Sequence, residues 1–78
     1  MSGDREILQR LIDTLYRDRV TVSRLDVILQ AESSDFPPEL LEIVNLLPPL
    51  TYKRHVLCDQ LNSSLKGHGW TRRFGTVD

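Results

Sequence analysis

The sequence predicts an all-α protein, a compact bundle of about four short helices with an extended aromatic and basic C-terminal tail. Three observations support this. Apolar residues recur at helical spacing in four separate segments. Pro37-Pro38, Pro48-Pro49 and Gly67 punctuate those segments. The chain is also 40% hydrophobic and 27% charged over 78 residues, a balance that suits one soluble globular unit rather than a disordered segment. Residues 1–66 form the expected helical domain, and residues 67–78 the tail, partly packed upon it.

The first helix is expected over residues 5–16. Ile7, Leu8, Leu11, Ile12 and Leu15 line one face, with Ser2 or Asp4 placed to cap its start. Residues 17–20 read as a connector. Ser23 and Asp26 then have the spacing of a capping box. They open a second helix over 24–32, with Leu25, Ile28 and Leu29 expected inward. Its length requires tertiary support.

Pro37 drives Phe36 out of helical geometry, while Pro38 suits the first position of a third helix over 38–47. Leu40, Leu41, Ile43, Val44, Leu46 and Leu47 cover roughly 220° of that helix at 100° per residue. A helix so widely apolar is central to a core, or is shared between the core and a partner. Pro48-Pro49 ends it. Thr51 is the expected cap of a fourth helix over 52–66, with Leu57, Cys58, Leu61 and Leu65 inward and Tyr52, Val56, Gln60 and Ser63 opposite. Three glycines interrupt the tail. Trp70 is expected to fold back on the helices, because its apolar area costs about 25 cal/mol per Å2 in water. The last four residues are expected to fray.

No apolar run reaches the roughly 20 residues that span a bilayer, and the first residues lack a secretory leader's pattern. With one cysteine, these features make the cytoplasm the expected location. No nucleotide-binding glycine motif, HExxH, EF-hand loop or GxSxG is present, and no internal repeat stands out. His55, Cys58 and His68 are the nearest approach to a metal or nucleophile cluster. A mid-helix cysteine on an apolar stripe instead reads as a small core residue with surface histidines nearby. A non-enzymatic chain with no cofactor and no small-molecule substrate is therefore expected.

Charge is uneven along the chain. Residues 1–49 hold nine acids and five bases, for −4. Residues 50–78 hold five bases (Lys53, Arg54, Lys66, Arg72, Arg73) and two acids, for +3, which sums to the net −1. Two functional expectations follow. The leading one is a small protein-interaction or regulatory module, acting on a protein partner or as a homodimer. Its contact residues would be Leu41, Leu46, Trp70, Arg72, Arg73 and Phe74, which include types favoured at binding hot spots. The alternative is a helix-turn-helix-type nucleic-acid binder using Lys53, Gln60, Arg72 and Arg73.

From Phe36 the order is a Pro-Pro start, an L-L-x-x-V-x-L-L helix, a proline stop, Tyr52 and a V-L-x-x-x-L helix. Over about residues 36–65 this resembles small bacterial helical domains of unknown function. The resemblance implies a bacterial or phage source and carries over no site.

Overall fold

The computed structural model describes residues 3–78. Its elements run α1 (Gly3–Leu15), β1 (Thr21–Ser23), α2 (Arg24–Ser33), α3 (Pro38–Asn45), β2 (Thr51–Lys53), α4 (Arg54–Gly67) and α5 (Thr71–Phe74). Helix accounts for 64% of the structure, so the protein is mostly α; the described residues form five helices and a small two-strand sheet. Of the two expected caps of α1, Ser2 lies outside the described residues and Asp4 falls within the helix rather than before it. Among them, no helix is long and apolar enough to cross a membrane.

The order α1–β1–α2 is repeated as α3–β2–α4, a repeat that sequence inspection misses. Thr21 and Thr51 begin the two strands 30 residues apart, and an arginine opens the helix after each, Arg24 and Arg54. The strands pair antiparallel, with Val22 opposite Tyr52 at the centre, Thr21 opposite Lys53 and Ser23 opposite Thr51. Only the central pair is buried. So short a ribbon is marginal alone; here β-branched and aromatic side chains suit the pleat and the helices cover its inner face.

Tyr52 and Lys53 therefore belong to the strand and not to the fourth helix. Tyr52 is fully buried rather than on the wet side. Its backbone carbonyl accepts a hydrogen bond from the Tyr16 hydroxyl at 2.8 Å, and its own hydroxyl donates to the Pro48 carbonyl. Lys53, rather than Thr51, occupies the N-cap of α4.

Both second helices end alike. In α2 the Phe36 amide reaches the Ala31 carbonyl and the Asp35 amide the Glu32 carbonyl, with Asp35 at φ 54°. In α4 the Trp70 amide reaches the Leu65 carbonyl and the Gly69 amide the Lys66 carbonyl, with Gly69 at φ 75°. Both are Schellman closures, which turn the next aromatic residue back onto its own helix. The left-handed residue after α4 is thus Gly69, and Gly67 remains helical.

The tail is not extended. Trp70 leads into α5, a single turn packed against α1 and α4, and Phe74 and Val77 join the core. Its end does not hang free. The Asn62 side chain accepts from the Val77 amide at 2.8 Å and donates to the Val77 carbonyl at 2.9 Å. Gln9 makes the same reciprocal pair with the backbone of Asp78, at 3.1 and 2.8 Å. Two side-chain amides thus stand in for a neighbouring strand. The core gathers residues from α1 through Val77, and all of its buried members are apolar side chains or tyrosine.

At the start of α2 the expected capping box is complete. The Ser23 hydroxyl accepts from the Asp26 amide, and the Asp26 carboxylate accepts from the Ser23 amide at 2.9 Å. That backbone donor, helped by Arg19 at 3.3 Å, holds the Asp26 carboxyl below the usual carboxylate range. A carboxyl lowered by folding contributes stability above its unfolded pKa and loses it as pH falls through the folded value. Asp26→Ala is expected to cost about 1 kcal/mol at pH 7, a fall of about 4–8 °C in Tm. The deficit should shrink in acid, whereas that of Ser23→Ala should change less. Thermal melts across pH 2–7 would check this; equal deficits at every pH would contradict the assigned role.

Candidate interaction surface

The expected contact residues fall in different places. Phe74 is fully buried, so its ring is core and has no face to offer a partner. Trp70 is half-buried against the core and meets Phe74 edge-on, with ring centroids 6.0 Å apart. Arg73 lies over both rings, 4.7 Å from Phe74 and 5.8 Å from Trp70, and reaches Glu39 at 3.6 Å. Its guanidinium helps seal the tail onto the start of α3. Arg72 is exposed, and its carbonyl accepts from Arg5. Leu41 is half-buried against the core, while Leu46 is 54% exposed. Glu39 lies near the start of α3 and Leu46 just past its end, so seven residues separate the tail cluster from Leu46, about 10 Å along a helix. The expected contact set is thus divided between the core (Phe74), its edge (Leu41 and Trp70) and exposed positions (Leu46, Arg72 and Arg73).

The expected nucleic-acid set is also spread out. Lys53 precedes α4 and Gln60 lies on its exposed side, while Arg72 and Arg73 follow its far end, about 20 Å away along a helix of 14 residues. Tyr52, expected opposite the inward stripe beside Lys53, is buried. Charge separated along the sequence is interleaved in space. Arg54 pairs with Asp13 at 2.6 Å and donates to the Asp78 carbonyl, so one of the five bases in the second half is matched to an acid of the first. Arg73 with Glu39 is another such match. The Arg54 hydrogen bond also lowers the Asp13 carboxyl from its ordinary value.

Around the central cysteine the arrangement favours packing over reactivity. Cys58 is buried, and desolvation pushes its thiol pKa up, away from the thiolate a nucleophile or ligand needs. His55 and His68 are exposed. Among the described residues, no three His, Cys, Asp or Glu side chains are grouped to hold a metal.

The surface that stands out lies elsewhere. Leu25 and Leu29, expected inward, are 62% and 54% exposed; Val27 and Ala31 fill the core in their place. Leu50 is 56% exposed and shares a groove with Leu25, lined also by Ser23, Arg24, Pro49 and Thr51. Arg24 fixes the wall of this groove. Its Nε donates to the Leu47 carbonyl at 2.8 Å and a terminal nitrogen to the Asn45 carbonyl at 2.7 Å. Those carbonyls close α3, which carries no basic residue in its own last turn, so a cation from α2 supplies the charge that suits a helix C-terminus. The clamp holds the segment around Leu46 beside the start of α2.

The repeated unit offers an internal control. Thirty residues on, the counterparts of Leu25 and Leu29 in α4 are His55 and Asp59, both exposed. The same position in the same helix–strand–helix unit is thus wet on one side of the molecule and leucine on the other. The fold itself does not require leucine there. The telling signal in the sequence is the width of α2's apolar arc: Val27, Ile28 and Ala31 already suffice for one inner face, and Leu25 and Leu29 extend it by about 100°.

The chain matches no protein-family model, no curated protein and no solved structure.

Proposed function

We propose that this chain is a small non-enzymatic interaction module whose working surface is the leucine face of α2 and the adjoining 46–50 segment. The observation that carries the reading is the exposure of Leu25 and Leu29 where the repeated unit places His55 and Asp59. Small monomeric domains seldom leave contiguous apolar patches open, and those that do use them for contacts. The patch is also positioned rather than loose, because the Arg24 clamp and the Ser23–Asp26 box fix the backbone on both sides of it. Preorganisation of this kind lowers the ordering cost of association. The reading moves the contact surface from the tail, whose aromatic rings close the core, to Leu25, Leu29, Leu46 and Leu50.

A photo-crosslinking amino acid placed singly at positions 29, 50 and 60 in cells tests it. Discrete protein adducts are expected from 29 and 50, with none of the same mass from 60 on α4. Adducts from position 60 alone, or from none of the three, would overturn the assignment.

A further inference from the structure

We infer that the occupant of this face is a basic amphipathic segment of another protein, one that presents an apolar side chain and a lysine or arginine on the same side. The inference rests on the interaction reading above and names the partner's chemistry.

Leu25, Leu29 and Glu32 fall at i, i+4 and i+7, so one exposed stripe of α2 runs from leucine to carboxylate. The two leucines form a ridge with a recess on each side. On one side Leu25 borders the recess it shares with Pro49 and Leu50. The charged residue there, Arg24, is held by the Asn45 and Leu47 carbonyls. On the other side Leu29 borders a second recess of about 280 Å3, between α2 and the end of α1, lined also by Leu15, Asp18, Arg19, Asp26 and Gln30. The first recess suits an apolar side chain. The second sets carboxylates beside the apolar walls of Leu15 and Leu29, which matches the apolar stem and charged head of a lysine or arginine.

Charge selects among apolar partners. Arg19 pairs with Asp26 at 3.3 Å, and Arg10 of α1 pairs with Glu6 at 3.0 Å. The carboxylates of Asp18 and Glu32 are exposed and have no ion-pair or hydrogen-bond partner among the described residues. The cations of this side are thus engaged, and the charges left open beside Leu29 are both negative. A neutral apolar segment laid over Leu29 would take water from these carboxylates and return no partner. A second copy would bring them against like charges. Nucleic acid and anionic lipid surfaces are repelled by the same groups. A cationic side chain replaces the lost water with an ion pair, and its attraction also speeds encounter. On α4 the equivalent of Leu29 is Asp59, an exposed carboxylate without the leucine ridge. It serves as the control for negative charge alone.

Fluorescence anisotropy on the purified full chain tests the inference with two labelled helix-forming peptides of about 14 residues, or four turns. Both carry leucines along one face; the remaining positions are lysine in one and glutamate in the other. The lysine peptide is expected to bind about tenfold or more tighter than the glutamate peptide, and to weaken as salt rises. Leu29→Ala should raise its Kd about tenfold, and the double variant Asp18→Asn/Glu32→Gln about fivefold or more. Asp59→Asn should leave it unchanged. Circular dichroism confirms that each variant folds; all four side chains are exposed. No binding of the lysine peptide at about 500 µM chain overturns the inference. So does equal binding of the two peptides, a lysine peptide indifferent to Leu29→Ala or to the double variant, or one weakened as much by Asp59→Asn. The interaction reading is separable from this result. A chain that gives protein adducts from positions 29 and 50 but does not prefer the lysine peptide keeps that reading and loses only the basic partner, whereas a chain with neither adducts nor peptide binding loses both.

Discussion

Phe74→Ala is expected to lower the melting temperature by about 12–40 °C. Truncating a fully buried phenylalanine removes its transfer free energy and leaves a cavity, together about 3–5 kcal/mol. In a domain of this size each kcal/mol shifts Tm by about 4–8 °C. A 78-residue chain has about 4–12 kcal/mol of stability in total, so this single ring supports a large share of it. The structural reason is its placement. Phe74 ends the one-turn helix α5, which fills the space between α1 and α4, and the Trp70 edge and Arg73 guanidinium cover it from outside. Trp70→Ala should cost less, because Trp70 is only half-buried. Urea titration monitored by circular dichroism measures both. If Phe74→Ala melted within a few degrees of the parent, the tail would be an appendage and Leu15, Leu61 and Leu65 would close the core without it.

That ring marks where the sequence is informative and where it is not. Three helix starts are legible because their signals are local. The Ser23–Asp26 box, Pro38 at the first turn of α3 and the stripe from Leu8 to Leu15 each act within a few residues. The helix ends after Ser33 and Gly67 are legible to within a turn for the same reason. The strands are not, because three residues carry too little periodicity to separate Thr-Val-Ser or Thr-Tyr-Lys from a helix start. Their pairing is decided by Val22 meeting Tyr52 across 30 residues of chain. The sequence predicts an extended tail because three glycines interrupt it. Two of them instead take the left-handed conformation at the turns on either side of α5, Gly69 and Gly75.

The exposed leucines of α2 are hard to place from the sequence for a related reason. Excess apolar width is visible on both α2 and α3, but the sequence does not say which excess is buried. On α3 the fold covers Leu40, Ile43 and Val44 and half-covers Leu41, so most of the surplus becomes core. On α2 only Val27 and Ala31 are fully buried, and Leu25 and Leu29 are left outside. The distinction comes from the repeat. Each second helix packs through the same inner positions, and the side that faces solvent on α4 also faces solvent on α2. The Thr-x-x-Arg spacing at 21–24 and 51–54 is the trace of this repeat in the sequence, and it aligns Leu25 with the exposed His55.

Tyr52→Ala is expected to be as damaging as the loss of Phe74, and through a different mechanism. Tyr52 is the only buried residue of β2 and stands opposite Val22, the only buried residue of β1. Truncation leaves a large cavity at the junction of the two repeated units and removes the side chain that ties β2 to the Pro48 carbonyl, about 3–5 kcal/mol together. Tyr52→Phe separates the two contributions. It keeps the ring and strands the Pro48 carbonyl, for about 1–2 kcal/mol. The two variants should also differ from the parent in alkali. Desolvation pushes the Tyr16 phenol up to about 12 and raises that of Tyr52 above the ordinary value of 10.0. A phenol whose pKa is raised by folding contributes stability that is complete below its unfolded pKa. That contribution is lost as pH climbs through the folded value, because the unfolded chain ionises first. The parent should therefore lose Tm steadily above about pH 10. Tyr52→Phe should lose it less steeply, the remaining slope belonging to Tyr16, whose hydroxyl donates to the Tyr52 carbonyl and is retained in that variant, and to the buried Cys58 thiol, whose pKa burial also raises. An alkaline limb equally steep in parent and Tyr52→Phe would show that Tyr52 ionises as freely in the folded chain as in the unfolded one, which is incompatible with a phenol enclosed between the two units.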